Sequence, residues 1–381
     1  MNLLDRHIFK NVLLACAGTV ALFTFVLVLG NVIRDLLSHV LAGQFPLSTL
    51  LRLVWFWVPA MAIYALPMGM LMGVLLTLGR LSADSEITAM RAAGLGLVRI
   101  ARPIFLLGAL GALAALYLNF ESMPRARVQY EREFAEALRA NPLTFIIPKT
   151  FVRAFRGCVL YVGDLQGNVV HDVWLWKLDA QGRAIALERS ATGRITYDEA
   201  NYTLQLALTP AQVETRDRDD PENFTKASVV NVFSVLRPEP IPLRQFFALK
   251  AAGTKRDWLT YGQLRAEQAR LAALPAPAPD EANVRAREKL QASLVLHDKF
   301  NLALAVFSFA VVGVPLGIKV SRRETSANLG LALVLVLGYY LLTEMVKWLD
   351  QRPELRPDLL LWAPNVLFLG LGAWMLRRIG R

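Results

Sequence analysis

The chain has 381 residues, 55% of them hydrophobic and only 19% charged, with a formal net charge of +11. That composition excludes an ordinary soluble globular protein, and several windows exceed the roughly 18 near-apolar residues that mark a membrane-crossing helix. Two cysteines, Cys16 and Cys158, exclude a disulfide framework, and with four scattered histidines they form no zinc-type spacing.

Residues 1–10 are a short basic start. The apolar run 12–33 is longer than the core of a signal peptide and ends at Arg34-Asp35, which predicts a retained spanning helix. A loop over 38–48 turns the chain back into a second span, 53–78, interrupted by Pro59, Pro67, Gly69 and Gly73. Proline in a membrane helix frees a carbonyl that needs a protein or water partner, so this helix is expected to be kinked and packed inside a bundle. A polar island, residues 79–94, separates it from a third span at about 101–120, where Gly108 and Gly111 permit close approach of another helix.

The island reads as one short helix, with Ser82 or Asp84 as N-cap, Asp84 and Glu86 in the first turn, Arg91 in the last and Gly94 as the stop. Ile87 and Met90 share one face, flanked by Glu86 and Arg91. An apolar centre edged by an acid and a base suits a docking peg for a soluble partner; an ordinary capped connector is the alternative.

Residues 125–140 read as a charged helix, followed by short strand-like runs at 158–162, 169–177, 184–187, 193–197 and 202–208, extended by valines to about 236. This spacing predicts an all-β sandwich or partly open barrel. Trp174 and Trp176 alternate with Val173 and Leu175, so that strand is buried on both faces or lines a groove for an apolar ligand. A charged helix at 257–274, a Pro/Ala spacer at 275–279 and a helix from 280 lead into a fourth span, 300–318. The fifth and sixth spans are 329–348 and 359–376.

Short-loop basic residues divide twelve against five, which puts both termini and the island in the cytoplasm and the β insert outside. The expected fold class is an α-helical membrane protein of six transmembrane helices with an inserted periplasmic all-β domain. Its parts are helices one to three over 1–121, with the island helix near 82–94, the β domain over 122–256, a connector over 257–299, and helices four to six over 300–381.

No P-loop, Gly-x-Ser-x-Gly elbow or His-Glu-x-x-His helix occurs, so neither ATP hydrolysis nor familiar hydrolase chemistry is expected. His297-Asp298-Lys299 reads as an interfacial polar cluster, with acid–base chemistry the weaker alternative. Arg34 and Arg52 lie at the outer interface, where lipid phosphates present negative charge or the side chains snorkel. Glu344 and Lys347 lie late in the fifth span, where ionisable groups face a path or each other.

Leu76-Thr77-Leu78-Gly79-Arg80-Leu81, then Ser85-Glu86-Ile87-Thr88-Ala89-Met90-Arg91-Ala92-Ala93-Gly94, with the opening Leu4-Asp5-Arg6-His7-Ile8, resembles the LptF/LptG permeases of the lipopolysaccharide-export ABC transporter. The resemblance covers the whole chain, and Ser85-Glu86-Ile87-Thr88 looks closer to the LptF side. It implies a jelly-roll-like β domain and a non-catalytic subunit of the bacterial inner membrane, without cofactor. The implied partners are a paired LptF/LptG-type permease, a cytoplasmic ATPase dimer, a periplasmic bridge protein and lipopolysaccharide, with no nucleic acid. The island becomes a coupling helix docking into the ATPase through Glu86, Ile87, Met90 and Arg91. Lateral entrances lined by the first, second and fifth spans give Arg34, Arg52, Glu344 and Lys347 a phosphate-handling or gating role. The competing readings are a membrane-anchored scaffold or sensor recruiting envelope proteins through its β domain, and a permease moving periplasmic partners rather than lipid.

Overall fold

The computed structural model describes residues 3–41, 46–140, 146–153, 155, 157–217, 221, 228–243, 255–274, 282–319 and 325–380. The Pro/Ala spacer at 275–279 lies outside them, as does most of the basic loop after the fourth span. Two compact units result: Met1–Asn31, Val54–Gln129 and Gly253–Arg381 form one, and Val32–Leu53 with Tyr130–Ala252 form the other.

In chain order the helices are α1 (Leu3–Leu41), α2 (Leu47–Ala83), α3 (Glu86–Ala92), α4 (Leu97–Tyr117), α5 (Met123–Ala140), α6 (Tyr261–Ala273), α7 (Ala282–Lys319), α8 (Thr325–Lys347), α9 (Pro357–Leu360) and α10 (Ala363–Gly380). Among the described residues, six helices are long and apolar enough to cross a membrane: Leu3–Arg34, Leu47–Ala83, Leu97–Ala137, Asn283–Ile318, Gly330–Asp350 and Pro357–Ile379. A π-helical turn, Leu118–Ser122, joins α4 to α5 without a break. The charged helix expected from residue 257 begins later, at Tyr261, because Thr260 and Gln263 form a reciprocal capping box there.

The second and fourth spans, α2 and α7, are the most enclosed, as the prolines and glycines of α2 predict. Small residues bring the backbones together. A Cβ on Gly69 would stand 2.7 Å from Val20 N, and one on Gly73 2.6 Å from Cys16 Cα, so α1 lies directly on α2. On the α7 side, a Cβ on Gly317 would stand 2.7 Å from Leu78 Cβ, and Cβ atoms on Gly108 and Gly111 of α4 would stand 2.8 Å from Ala310 Cβ and 2.9 Å from Val306 Cγ1. Polar groups inside the bundle satisfy one another. Asn365 Nδ2 donates to Asn301 Oδ1 at 2.6 Å, Ser308 Oγ to Asn365 Oδ1 at 2.7 Å, and Asn301 Nδ2 to Tyr339 Oη at 3.2 Å. This network ties α7, α8 and α10 at a depth where an unmet polar group is costly.

In the second unit, β1 (Thr150–Val152), β2 (Cys158–Gln166), β3 (Val169–Leu178), β4 (Ala184–Asp198), β5 (Thr203–Thr215) and β6 (Val229–Phe233) pair antiparallel in sequence order. A short β7 (Ile241–Pro242) pairs with β5. Two strands expected at 184–187 and 193–197 are one continuous β4. Its polar middle stays in the ladder with partners on neighbouring strands: Glu188 Oε1 meets Lys177 Nζ at 2.8 Å, while Oε2 is buried without a hydrogen bond, and Ser190 Oγ donates to Pro210 O at 2.7 Å. Val173 and Leu175 enter the core, 0% and 2% exposed. Trp174 and Trp176 lie on the opposite face, stacked at 5.7 Å, with Phe151 5.6 Å from Trp176 and the Arg189 guanidinium 4.0 Å above Trp174. So one face of β3 is core, and the other is covered by its own aromatic ladder.

Candidate functional site

The polar island is built differently from a single capped helix. α2 runs through Gly79 to Ala83, and the island helix α3 keeps only seven residues, Glu86–Ala92. Neither Ser82 nor Asp84 caps it. The N-cap is Ser85, held left-handed at φ 60° without a side-chain cap bond, while Ser82 Oγ donates to Ile318 O of α7 at 3.1 Å. The stop at Gly94 is as expected. At φ +87° it donates to Arg91 O, and Leu95 N donates to Met90 O at 3.1 Å, the paired bonds of a Schellman motif.

Helical spacing divides this short helix in two. Ile87 is 3% exposed, in a core cluster with Ile8, Leu81, Ile100 and Ala101, and Met90 packs partly on the same cluster. Glu86, Thr88, Ala89 and Arg91 face outward. Arg91 Nη2 also donates to Ile379 O at the end of α10, 3.4 Å away. The apolar centre of the peg is thus its anchor, and its exposed rim is polar. Burial of one branched side chain stabilises a helix too short to hold itself in water.

The ionisable residues near the span ends fall into separate groups. Arg52 pairs with Glu133 of α5 at 3.4 Å, and its side chain remains more than half exposed. Arg34 is exposed near the C-terminal part of α1, in the same unit as Arg52. Glu344 and Lys347 form the intrahelical pair at 3.0 Å, and Lys347 also reaches Asp298 Oδ2 of α7 at 3.0 Å. Two carboxylates on one ammonium leave this group net negative. The sequence pattern missed Asp298 as the third member; its signal lay in His297-Asp298-Lys299. That triplet acts in three directions: His297 Nδ1 accepts from Trp362 Nε1 at 2.9 Å, Asp298 meets Lys347, and Lys299 turns to backbone carbonyls. Outside the spans, burial pushes the Cys158 thiol above its ordinary range, partly countered by Lys177. Among the described residues no group of three or more His, Cys, Asp or Glu side chains is placed to hold a metal ion.

Among the described residues, three apolar spans, an antiparallel β insert and three further apolar spans define a polytopic membrane protein, not a soluble domain with an anchor. The sequence pattern of one family, described as lipopolysaccharide export system permease LptF/LptG, matches residues 6–378, and the chain belongs to that family. It is 25% identical to lipopolysaccharide export system permease protein LptF of Escherichia coli (strain K12) over 341 residues, 88% of this chain and 84% of the relative. The proteins of the same name from Escherichia coli O157:H7 and Shigella flexneri match with the same identity and coverage. Family and spans together make the chain a multi-pass inner-membrane protein.

Proposed function

We propose that the chain is the permease subunit that takes lipopolysaccharide from the inner membrane and passes it to a periplasmic β-domain bridge, with ATP hydrolysed in a separate cytoplasmic subunit. The observation that carries this reading is the division of α3, with Ile87 sunk in the core and Glu86 exposed beside it. A motion of a docked ATPase at Glu86 and Arg91 is then delivered through Ile87 and Met90 to the cluster shared by α1, α2, α4 and α7. In this reading both termini are cytoplasmic, residues 122–256 form the periplasmic domain and 257–299 the connector.

The β insert supplies a second support. All five residues of β6 are exposed, Val232 by 69%, and among the described residues β6 pairs only with β5. An apolar edge of this kind is a template for strand addition by a partner sheet, which suits a bridge protein of β architecture. A second permease of the LptF/LptG type completes the assembly. Arg34 and Arg52 are the cations offered to lipid phosphates, since an exposed Arg52–Glu133 pair is easily displaced. The net-negative Asp298–Lys347–Glu344 group does not suit phosphate and acts instead as a latch between the fourth and fifth spans.

Copurification with the cytoplasmic ATPase, comparing the native chain with Glu86→Ala and following lipid-stimulated ATP turnover, tests the reading. The native chain is expected to capture the ATPase, and the variant to lose capture or turnover. A native chain that captures no ATPase ends the transporter reading in favour of a membrane-anchored scaffold.

A further inference from the structure

The third span contains a π-helical turn, Leu118–Ser122, with α-helix on both sides. A π-turn carries one residue more than the α-helix it interrupts and takes a carbonyl away from its usual partner four residues on. Inside a bundle that carbonyl must be met by something else. Here the carbonyl is Asn119 O: the Met123 N–H goes back to Leu118 O, Pro124 has no N–H to offer, and Lys299 of α7 takes the place of both. The Lys299 side chain is buried, Nζ donates to Asn119 O at 2.9 Å and to Leu259 O at 3.0 Å, and the ammonium lies 5.5 Å from the Phe120 ring centroid. The contact is reciprocal, because Asn119 Nδ2 donates to Lys299 O at 3.1 Å. Asn119 and Lys299 are each 4% exposed.

An ammonium so deeply enclosed is not offered to a lipid phosphate, and both of its acceptors are backbone oxygens. Burying a charge this way is costly unless its protons are used, and the use made of them is to hold open the one irregular turn in the span. We infer that Lys299 is a positioning residue: it stabilises the π-turn against relaxation to α-helix and thereby sets the rotational register of α5, through which the chain leaves the bundle. Without the clamp the extra residue is absorbed, and every residue of α5 advances by one helical position, about 100°. The inference concerns helix register and stands whether or not the protein exports lipid.

Cysteine labelling of the full-length protein in detergent tests it, read by mass on the labelled peptide. Arg125 is exposed and Ala126 is 7% exposed, so Arg125→Cys labels faster than Ala126→Cys in the native chain. In Lys299→Met the order reverses, because residue 125 takes the enclosed position and residue 126 leaves it. Deletion of Glu121 removes the extra residue, so on that background the native labelling order returns and Lys299→Met no longer alters it. An unchanged order in Lys299→Met alone overturns the inference. If Lys299→Met fails to accumulate, rescue of accumulation by the Glu121 deletion supports it, and failure of that rescue overturns it.

Discussion

Lys347 Nζ of α8 lies 3.0 Å from Asp298 Oδ2 of α7, an ion pair joining two spans that are separated in sequence by a loop. Glu344 shares the same ammonium from one turn away on α8, with a side chain about twice as exposed as that of Asp298. The interhelical bond therefore carries most of the stabilisation. Asp298→Asn is expected to cost about 1–3 kcal/mol, the scale of a hydrogen bond to a charged group, and Glu344→Gln less than about 0.5. Thermal unfolding in detergent separates the two. Equal losses would mean that the pair does not join the helices.

The two sides of α3 separate stability from coupling. Ile87→Ala opens a cavity in a close-packed cluster and is expected to cost about 2–5 kcal/mol. Glu86→Ala, on the exposed rim, leaves stability within about 0.5 kcal/mol while reducing ATPase capture. Melting curves recorded beside the copurification show which loss belongs to which residue.

Gly73 and Gly79 lie six residues apart on α2 with opposite surroundings. A Cβ on Gly73 strikes the Cys16 backbone, whereas one on Gly79 meets nothing within 4 Å. Gly73→Ala is expected to force α1 and α2 apart at a cost of about 1–3 kcal/mol, and Gly79→Ala to be neutral or stabilising by up to about 1 kcal/mol. The yield of folded protein after heating checks the contrast.

Asp198 closes the β4–β5 turn. Hydrogen bonds from the Asn201 side chain and backbone, then from Ala200 N and Gln205 Nε2, hold its carboxyl below the ordinary range. A depressed carboxyl contributes stability that is present above its unfolded pKa, about 3.9, and is lost as pH falls through the lower folded value. Hydrogen exchange at the Ala200 and Asn201 amides, corrected for intrinsic rates, is expected to lose protection in that acid window. Asp198→Asn removes the pH dependence.

At the β6 edge, Val232→Lys is expected to leave the sheet intact, because the side chain is already exposed, and to abolish strand addition by a bridge protein. Circular dichroism and pull-down with that protein measure the two effects. A variant that still binds would assign the docking edge elsewhere.

Six spans, their order and the all-β insert were legible in the sequence because apolar length and strand alternation are properties of consecutive residues. So was the stop at Gly94, since a left-handed helix end selects glycine locally. Tertiary structure decided which face of each element is covered. Ile87 and Glu86 are neighbours in a polar island, yet only the approach of Ile8 and Ile100 makes one an anchor and the other a rim. β4 read as two strands because the partners of Glu188 and Ser190, Lys177 and Pro210, lie on other strands. Asp298 and Lys299 are adjacent letters with unrelated tasks, one latching α8 and the other holding the turn at Asn119. A side chain's own sequence window sets its chemistry; the element packed against it sets the use to which that chemistry is put.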